Sequence, residues 1–68
     1  MRLSSVLSVV KSGTVVTVFD YISEQVYANT EVENILDNSY YHQTLKNCRV
    51  YGIDPNGNEL EVRILLED

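Results

Sequence analysis

The stretch from Cys48 to Leu66, CRVYGIDPNGNELEVRILL, reads as two strands joined by a tight turn. Asp54-Pro55-Asn56-Gly57 supplies the turn chemistry. Pro55 presets φ near the value that the second turn position needs, and Gly57 takes φ > 0 without steric cost. A three-residue Pro-Asn-Gly loop closed by a glycine bulge sets Asp54 opposite Asn58. Counting outward, Gly52 then faces Leu60, Val50 faces Val62 and Cys48 faces Ile64. This register gathers one apolar set on one face and leaves Arg49, Tyr51, Glu59, Glu61 and Arg63 on the other. A two-residue Asn-Gly loop pairs Val50 with Arg63 instead, so the two-residue period of side chains favours the longer loop.

Upstream of this hairpin, Leu3, Val6, Leu7 and Val10 fall at the i, i+3, i+4, i+7 spacing of an amphipathic helix over residues 3–11, with Ser4 or Ser5 as its cap. The same residues half-fit a strand. Lys11-Ser12-Gly13 breaks the pattern, and Thr14 to Asp20, TVVTVFD, is rich in β-branched residues and reads as a strand. Its two faces are both largely apolar, the mark of a central strand or one covered on both sides. Tyr21 to Gln25 is a polar turn and Val26-Tyr27-Ala28 a short return strand. Thr30 and Glu33 have the spacing of a capping box that opens a helix, with Val32, Ile35 and Leu36 as its buried stripe. Asp37-Asn38-Ser39 ends that helix. Tyr40 to Asn47 fits a loop, a helix extension or a lead-in to the hairpin equally well, and Glu67-Asp68 closes the chain with an acidic tip.

The expected fold class is therefore α+β. The order α-β-β-α-β-β forms a four-stranded antiparallel sheet with the helices on one face, the two-layer solution for one core. With residues 3–10 as a strand, the order becomes β-β-β-α-β-β, the topology of a small OB-like barrel. A chain of 68 residues is a single domain spanning residues 1–68. It buries only about 60% of its unfolded surface, so its core is marginal. Domains of this size commonly add disulfides, a metal or a partner chain. One cysteine, Cys48, excludes an internal disulfide, and Cys48 with His42 falls short of the about four ligands that zinc takes. Self-association is what remains, so a homodimer is expected.

The net charge of −5 argues against free nucleic acid, whose phosphates need clustered Lys and Arg, and suits a basic protein partner. No run approaches the ~20 apolar residues of a membrane span. The start, MRLSSVLSVV, is broken by serines and lacks a small-residue cleavage site, so it is read as part of the fold and not as a secretory leader. With a lone thiol, this points to a reducing, cytoplasmic setting.

The helix start at Met1-Arg2-Leu3-Ser4, the strand Val16-Thr17-Val18-Phe19-Asp20, Tyr27 and Thr30, the step Val50-Tyr51-Gly52-Ile53 and Leu60-Glu61-Val62 together resemble small uncharacterised proteins carried by phages and prophages of Gram-positive bacteria. Asn29 stands where glycine is expected in that pattern. The resemblance covers most of the chain through short motifs. It implies an accessory protein of a mobile element, such as a host-defence inhibitor acting by protein–protein interaction, and carries over no site residues.

Gly-rich phosphate loops, nucleophile elbows and metal-ligand spacings are absent from the sequence, so no enzyme, cofactor or metal is expected. Cys48 and His42 make a conceivable thiol–imidazole pair, but the hairpin pattern points Cys48 inward, where it is a small hydrophobe. Two groups of residues remain as binding candidates. Glu31, Glu33 and Asp37 crowd one helix and form an acidic patch for a basic protein, or an ordinary solvated face. Arg49 and Arg63, set opposite each other, repel unless an anion or Glu61 lies between them. With Tyr40, Tyr41 and Tyr51 they offer a surface for a small anionic ligand such as a nucleotide, or an interface anchor. Binding of another protein is the first reading, and nucleotide binding the alternative.

Overall fold

The computed structural model describes residues 1–66, so the expected acidic tip at Glu67-Asp68 lies outside the described residues. The chain runs α1 (Leu3–Leu7), β1 (Val15–Asp20), β2 (Val26–Glu31), α2 (Val32–Leu36), a π-helix (Tyr41–Leu45), β3 (Arg49–Asn56) and β4 (Glu59–Leu65). The fold is a small α+β domain. Its four strands lie in the order β2-β1-β4-β3.

Helix α1 decides between the two topologies read from the sequence. Leu3, Val6 and Leu7 are buried on its inner side, as the spacing predicts, and no N-terminal strand forms. The helix is shorter than expected, and neither Ser4 nor Ser5 caps it: Arg2 is the N-cap residue, in extended backbone, with no side-chain cap. What anchors α1 instead is long-range. Leu3 N–H donates to the Cys48 carbonyl at 2.9 Å and Ser4 N–H to the Lys46 carbonyl at 3.0 Å.

The sheet is mixed, which corrects the expectation of a purely antiparallel one. β1 pairs with β2 antiparallel and with β4 parallel, and β3 pairs with β4 antiparallel. The cause is hydrophobic. β1 and β4 are the most apolar strands, and both central positions go to them. Val16, Val18, Val62 and Ile64 are fully buried. With β2 and β3 running the same way at opposite edges, the segment from α2 through the π-helix carries the chain back across the sheet. Its buried residues Val32, Ile35, Tyr41 and Leu45 join Leu3, Val6 and Leu7 in one core on that face.

The closing hairpin differs from the expected register, and the tip of β3 changes face with it: Gly52 lies outward opposite Arg63 and not inward opposite Leu60. Its loop is the two residues Gly57 and Asn58, so Asn56 faces Glu59, Asp54 faces Glu61 and Gly52 faces Arg63. Positive φ falls on Gly57 alone (64°), as in a type II′ turn with glycine first. Asp54 is thus not opposite Asn58, nor Gly52 opposite Leu60. A bulge at Tyr51 then restores the phase, so that Val50 faces Ile64 rather than Val62. Val50 and Ile64 still point inward and Arg49, Tyr51 and Arg63 outward. Pro55 sits in β3 at the sheet edge, where its missing N–H costs no ladder bond.

The capping box expected at Thr30 and Glu33 does not form. β2 runs on through Glu31, paired with Val15, so Thr30 is a strand residue. Its hydroxyl accepts from Asn34 Nδ2 at 3.1 Å. Glu33 reaches out of the helix to the loop before β1 and accepts from Gly13 N–H at 2.9 Å and Ser12 Oγ at 3.1 Å. The segment after α2 is helical. Asn38 Oδ1 accepts the Tyr40 N–H at 2.8 Å, and Lys46 N–H bonds the Tyr41 carbonyl five residues back at 2.9 Å.

Truncation of a central-strand side chain is expected to remove most of the stability. Ile64→Ala costs about 2–5 kcal/mol, against a total of about 5 kcal/mol at the low end for small domains. Gly57→Ala, which strains the turn without touching the core, costs about 1 kcal/mol. Urea denaturation of the two variants checks the ranking.

Candidate functional site

α1, α2 and the π-helix occupy one face of the sheet. The other face carries Val15, Thr17 and Phe19 of β1, Val26, Asn29 and Glu31 of β2, Glu59, Glu61 and Arg63 of β4, and Gly52, Asp54 and Asn56 of β3 by strand alternation. No element of the described chain lies over it. Phe19 is nonetheless only 7% exposed, because its neighbours shield it. The Arg63 guanidinium lies over the ring, 4.7 Å from its centroid. Gly52 makes this possible: a Cβ there would meet Arg63 Cδ at 3.5 Å, so the arginine stem lies flat against bare backbone. Arg63 also approaches Glu24 at 3.9 Å and Asp54 at 3.7 Å.

At one end of this face Tyr21 and Tyr51 stack, with ring centroids 5.2 Å apart and planes at 21°. They reach toward each other from the residue after β1 and from β3, across the intervening β4. The Tyr51 bulge aims its ring outward, and the hydrogen bond from Tyr21 N–H to the Ile64 carbonyl (2.7 Å) holds the other partner. Ile22, next in the chain after Tyr21, and Val26, opposite Phe19, are both well exposed. The turn between β1 and β2 is fixed by Asp20, whose Oδ2 accepts the N–H groups of Ile22 (2.9 Å) and Ser23 (2.7 Å). Within that turn Glu24 adopts φ = 63°, a left-handed conformation unusual for glutamate. Its carboxylate is thereby delivered to the Arg63 side of the face.

Of the residues singled out from sequence, Arg63 and Tyr51 lie on this open face, with Arg49 at its margin. Arg49 faces Leu65 and not Arg63, so the expected pair of opposed arginines does not exist. Glu31 is exposed at the far corner. Glu33 is committed to the loop at Ser12 and Gly13, and Asp37 caps the end of α2 in solvent, so the three acids do not form one patch. Tyr41 is buried in the core at 4% exposure, and Tyr40 stands exposed beside a cleft on the helical side. The tyrosines and arginines expected to cooperate are thus split between the two sides of the sheet. Cys48 lies in the core as the hairpin pattern predicts, its Sγ 3.4 Å from the Thr44 carbonyl, while His42 is exposed. Among the described residues no three metal-ligating side chains converge, and no helix is long and apolar enough to cross a membrane.

Sequence reasoning reads Tyr21 and Glu24 only as parts of a polar turn and Phe19 only as part of an apolar strand face, and singles out none of them for the site. Phe19 lies within a strand whose two faces both read as largely apolar, and Tyr21 directly follows that strand, so only the identity of the neighbouring strand decides what covers them. Comparison with family models, with curated proteins and with solved structures finds no match to this chain.

Two carboxyls titrate below their ordinary values. The Ser23 N–H, helped by that of Ile22, holds Asp20 down, and the Gly13 N–H does the same for Glu33. Lowered folded values mean that these groups stabilise the fold above their unfolded pKa values, near 3.8 and 4.5. The contribution is lost as the pH falls through the lowered values. Thermal melts from pH 6 downward are expected to show a falling Tm below about pH 4.5. Glu33→Gln is expected to start lower and fall less steeply.

Proposed function

We propose that this protein is a non-enzymatic binding module that engages a basic protein partner on its open sheet face. The observation that carries this reading is the Tyr21–Tyr51 stack, an exposed aromatic pair on a face that also bares Val26 and is set with carboxylates. Aromatic side chains on a rigid scaffold are the residues that anchor interfaces, and stacking fixes these two before any partner arrives. The face also carries Glu24, Glu31, Asp54, Glu59 and Glu61 against Arg63 and Arg49. Arg63 already lies between Glu24 and Asp54, so the field left for a visitor is negative, complementary to lysine- and arginine-rich surfaces. The resemblance to phage and prophage proteins supplies the setting, an accessory protein of a mobile element that acts on a host protein.

The same charge bears on self-association. Two copies meeting through this face bring like charge to like, so the homodimer that small size suggests is disfavoured there. Sedimentation equilibrium across the micromolar range is expected to give a monomer at low salt. A dimer abolished by Tyr51→Ala would reassign the face to a second copy.

Capture from a bacterial lysate tests the main reading. A retained partner is expected to be lost with Tyr51→Ala and with Glu61→Lys, to weaken with salt, and to persist with Asp37→Lys on the opposite side of the sheet. Retention by both open-face variants would overturn the assignment.

A further inference from the structure

On the helical side, β2, α2 and the π-helix do not close completely on one another. They leave a cleft of about 130 Å³. Its floor is apolar, from Ala28, Ile35, Leu45 and the ring of Tyr41, and its mouth carries Asn34, Asn38 and the exposed Tyr40. No charged side chain lines it.

Three features give this cleft a chemistry. Its size is that of one six-membered ring: an apolar cavity of about 150 Å³ accepts benzene. Its wall is a π-helix, closed by the five-residue hydrogen bond from Lys46 N–H to the Tyr41 carbonyl. Such turns are rare and occur disproportionately at binding sites. Its polar mouth is only half used. Asn38 spends its Oδ1 on the Tyr40 N–H, which fixes the amide and leaves Nδ2 as a donor without a partner among the described residues. Asn34 spends its Nδ2 on Thr30 and leaves Oδ1 as an acceptor. One donor and one acceptor, on residues four apart, stand over an apolar slot.

We propose that this cleft is a binding site for a single uncharged planar ring with an amide edge, of the size of a pyrimidine base. The ring lies on Ala28, Ile35 and Leu45 against Tyr41. Its carbonyl accepts from Asn38 Nδ2, and its N–H donates to Asn34 Oδ1. A phosphate is no part of the recognition, since no charged side chain lines the cleft. The inference rests on the cleft alone and stands apart from the reading of the open face.

Titration of the full chain with uracil, followed by ¹⁵N–¹H NMR, tests it. Saturable shifts are expected at Ala28, Leu45 and the side-chain amides of Asn34 and Asn38, with no change at Tyr21 or Tyr51. Benzene, the bare six-membered ring without the polar edge, is expected to bind at least tenfold more weakly. Asn38→Asp retains the oxygen that caps Tyr40 but loses the donor and adds a charge, so it is expected to fold normally and to weaken uracil at least tenfold. Ala28→Leu, which fills the slot, is expected to abolish binding. Absence of shifts up to the solubility of uracil, equal binding of benzene, or unchanged binding by Asn38→Asp in a folded protein would each overturn the proposal.

Discussion

The parallel contact between β1 and β4 is the constraint from which the rest of this molecule follows. Val16 pairs with Leu60, Val18 with Val62, and Asp20 with Ile64, so the fully buried valines and isoleucine of both strands share one face. A domain this small has room for only two strands flanked on both sides. Giving those places to the two most apolar segments sends β2 and β3 to the edges. It also obliges the chain between them to recross the sheet, and the recrossing chain becomes the second layer. α1, anchored through Leu3 and Ser4 to the carbonyls of Cys48 and Lys46, completes that layer from the opposite end of the sequence.

Much of this was legible in the sequence at the level of faces and little of it at the level of partners. The alternation in Cys48–Leu66 correctly assigns Cys48, Val50, Val62 and Ile64 to the interior, because a period of two fixes sides wherever no residue is inserted. It does not fix register. The Tyr51 bulge adds one residue to β3, and the shorter Gly57-Asn58 loop shifts the pairing near the tip. Beyond the bulge the two changes cancel and Val50 stays inward with Ile64, while between the bulge and the loop β3 changes face, Gly52 joining Arg63 outward and Ile53 joining Val62 inward. A reading built on side-chain phase has no means of detecting such a compensated shift. The same limit hides the parallel pairing of β1 with β4, which joins segments more than forty residues apart.

Local motifs failed where tertiary hydrogen bonds outbid them. Thr30 and Glu33 have capping-box spacing, but the ladder from β1 continues to Glu31, and Val32 N–H bonds the Thr14 carbonyl at 2.9 Å. The helix therefore begins after the residue that was to cap it. Freed from that role, Glu33 serves the Ser12-Gly13 corner, where Gly13 at φ = 90° presents its N–H. The carboxylate that looked like one of a surface trio is a strut between α2 and the loop before β1. The opposed arginines dissolved for a related reason. Arg63 lies over Phe19, a neighbour supplied by the parallel strand, and this contact has no signature in the hairpin's own sequence.

Arg63 also explains how one sheet face can stay uncovered in so small a chain. A bare face with Phe19 at its centre would expose a large apolar ring. The guanidinium and its stem, laid flat because position 52 is glycine, cover that ring while remaining wet at one edge. Glu24 and Asp54 hold the charge in place from two sides, and Glu24 does so from a backbone conformation that costs roughly 1 kcal/mol or more. Strain of this kind persists only where the surroundings impose it. Here the Asp20-capped turn imposes it, and the same turn sets Tyr21 against Tyr51. A single short loop thus fixes both the charged lid over Phe19 and the aromatic pair beside it, so the open face is held in one arrangement without any second layer of structure.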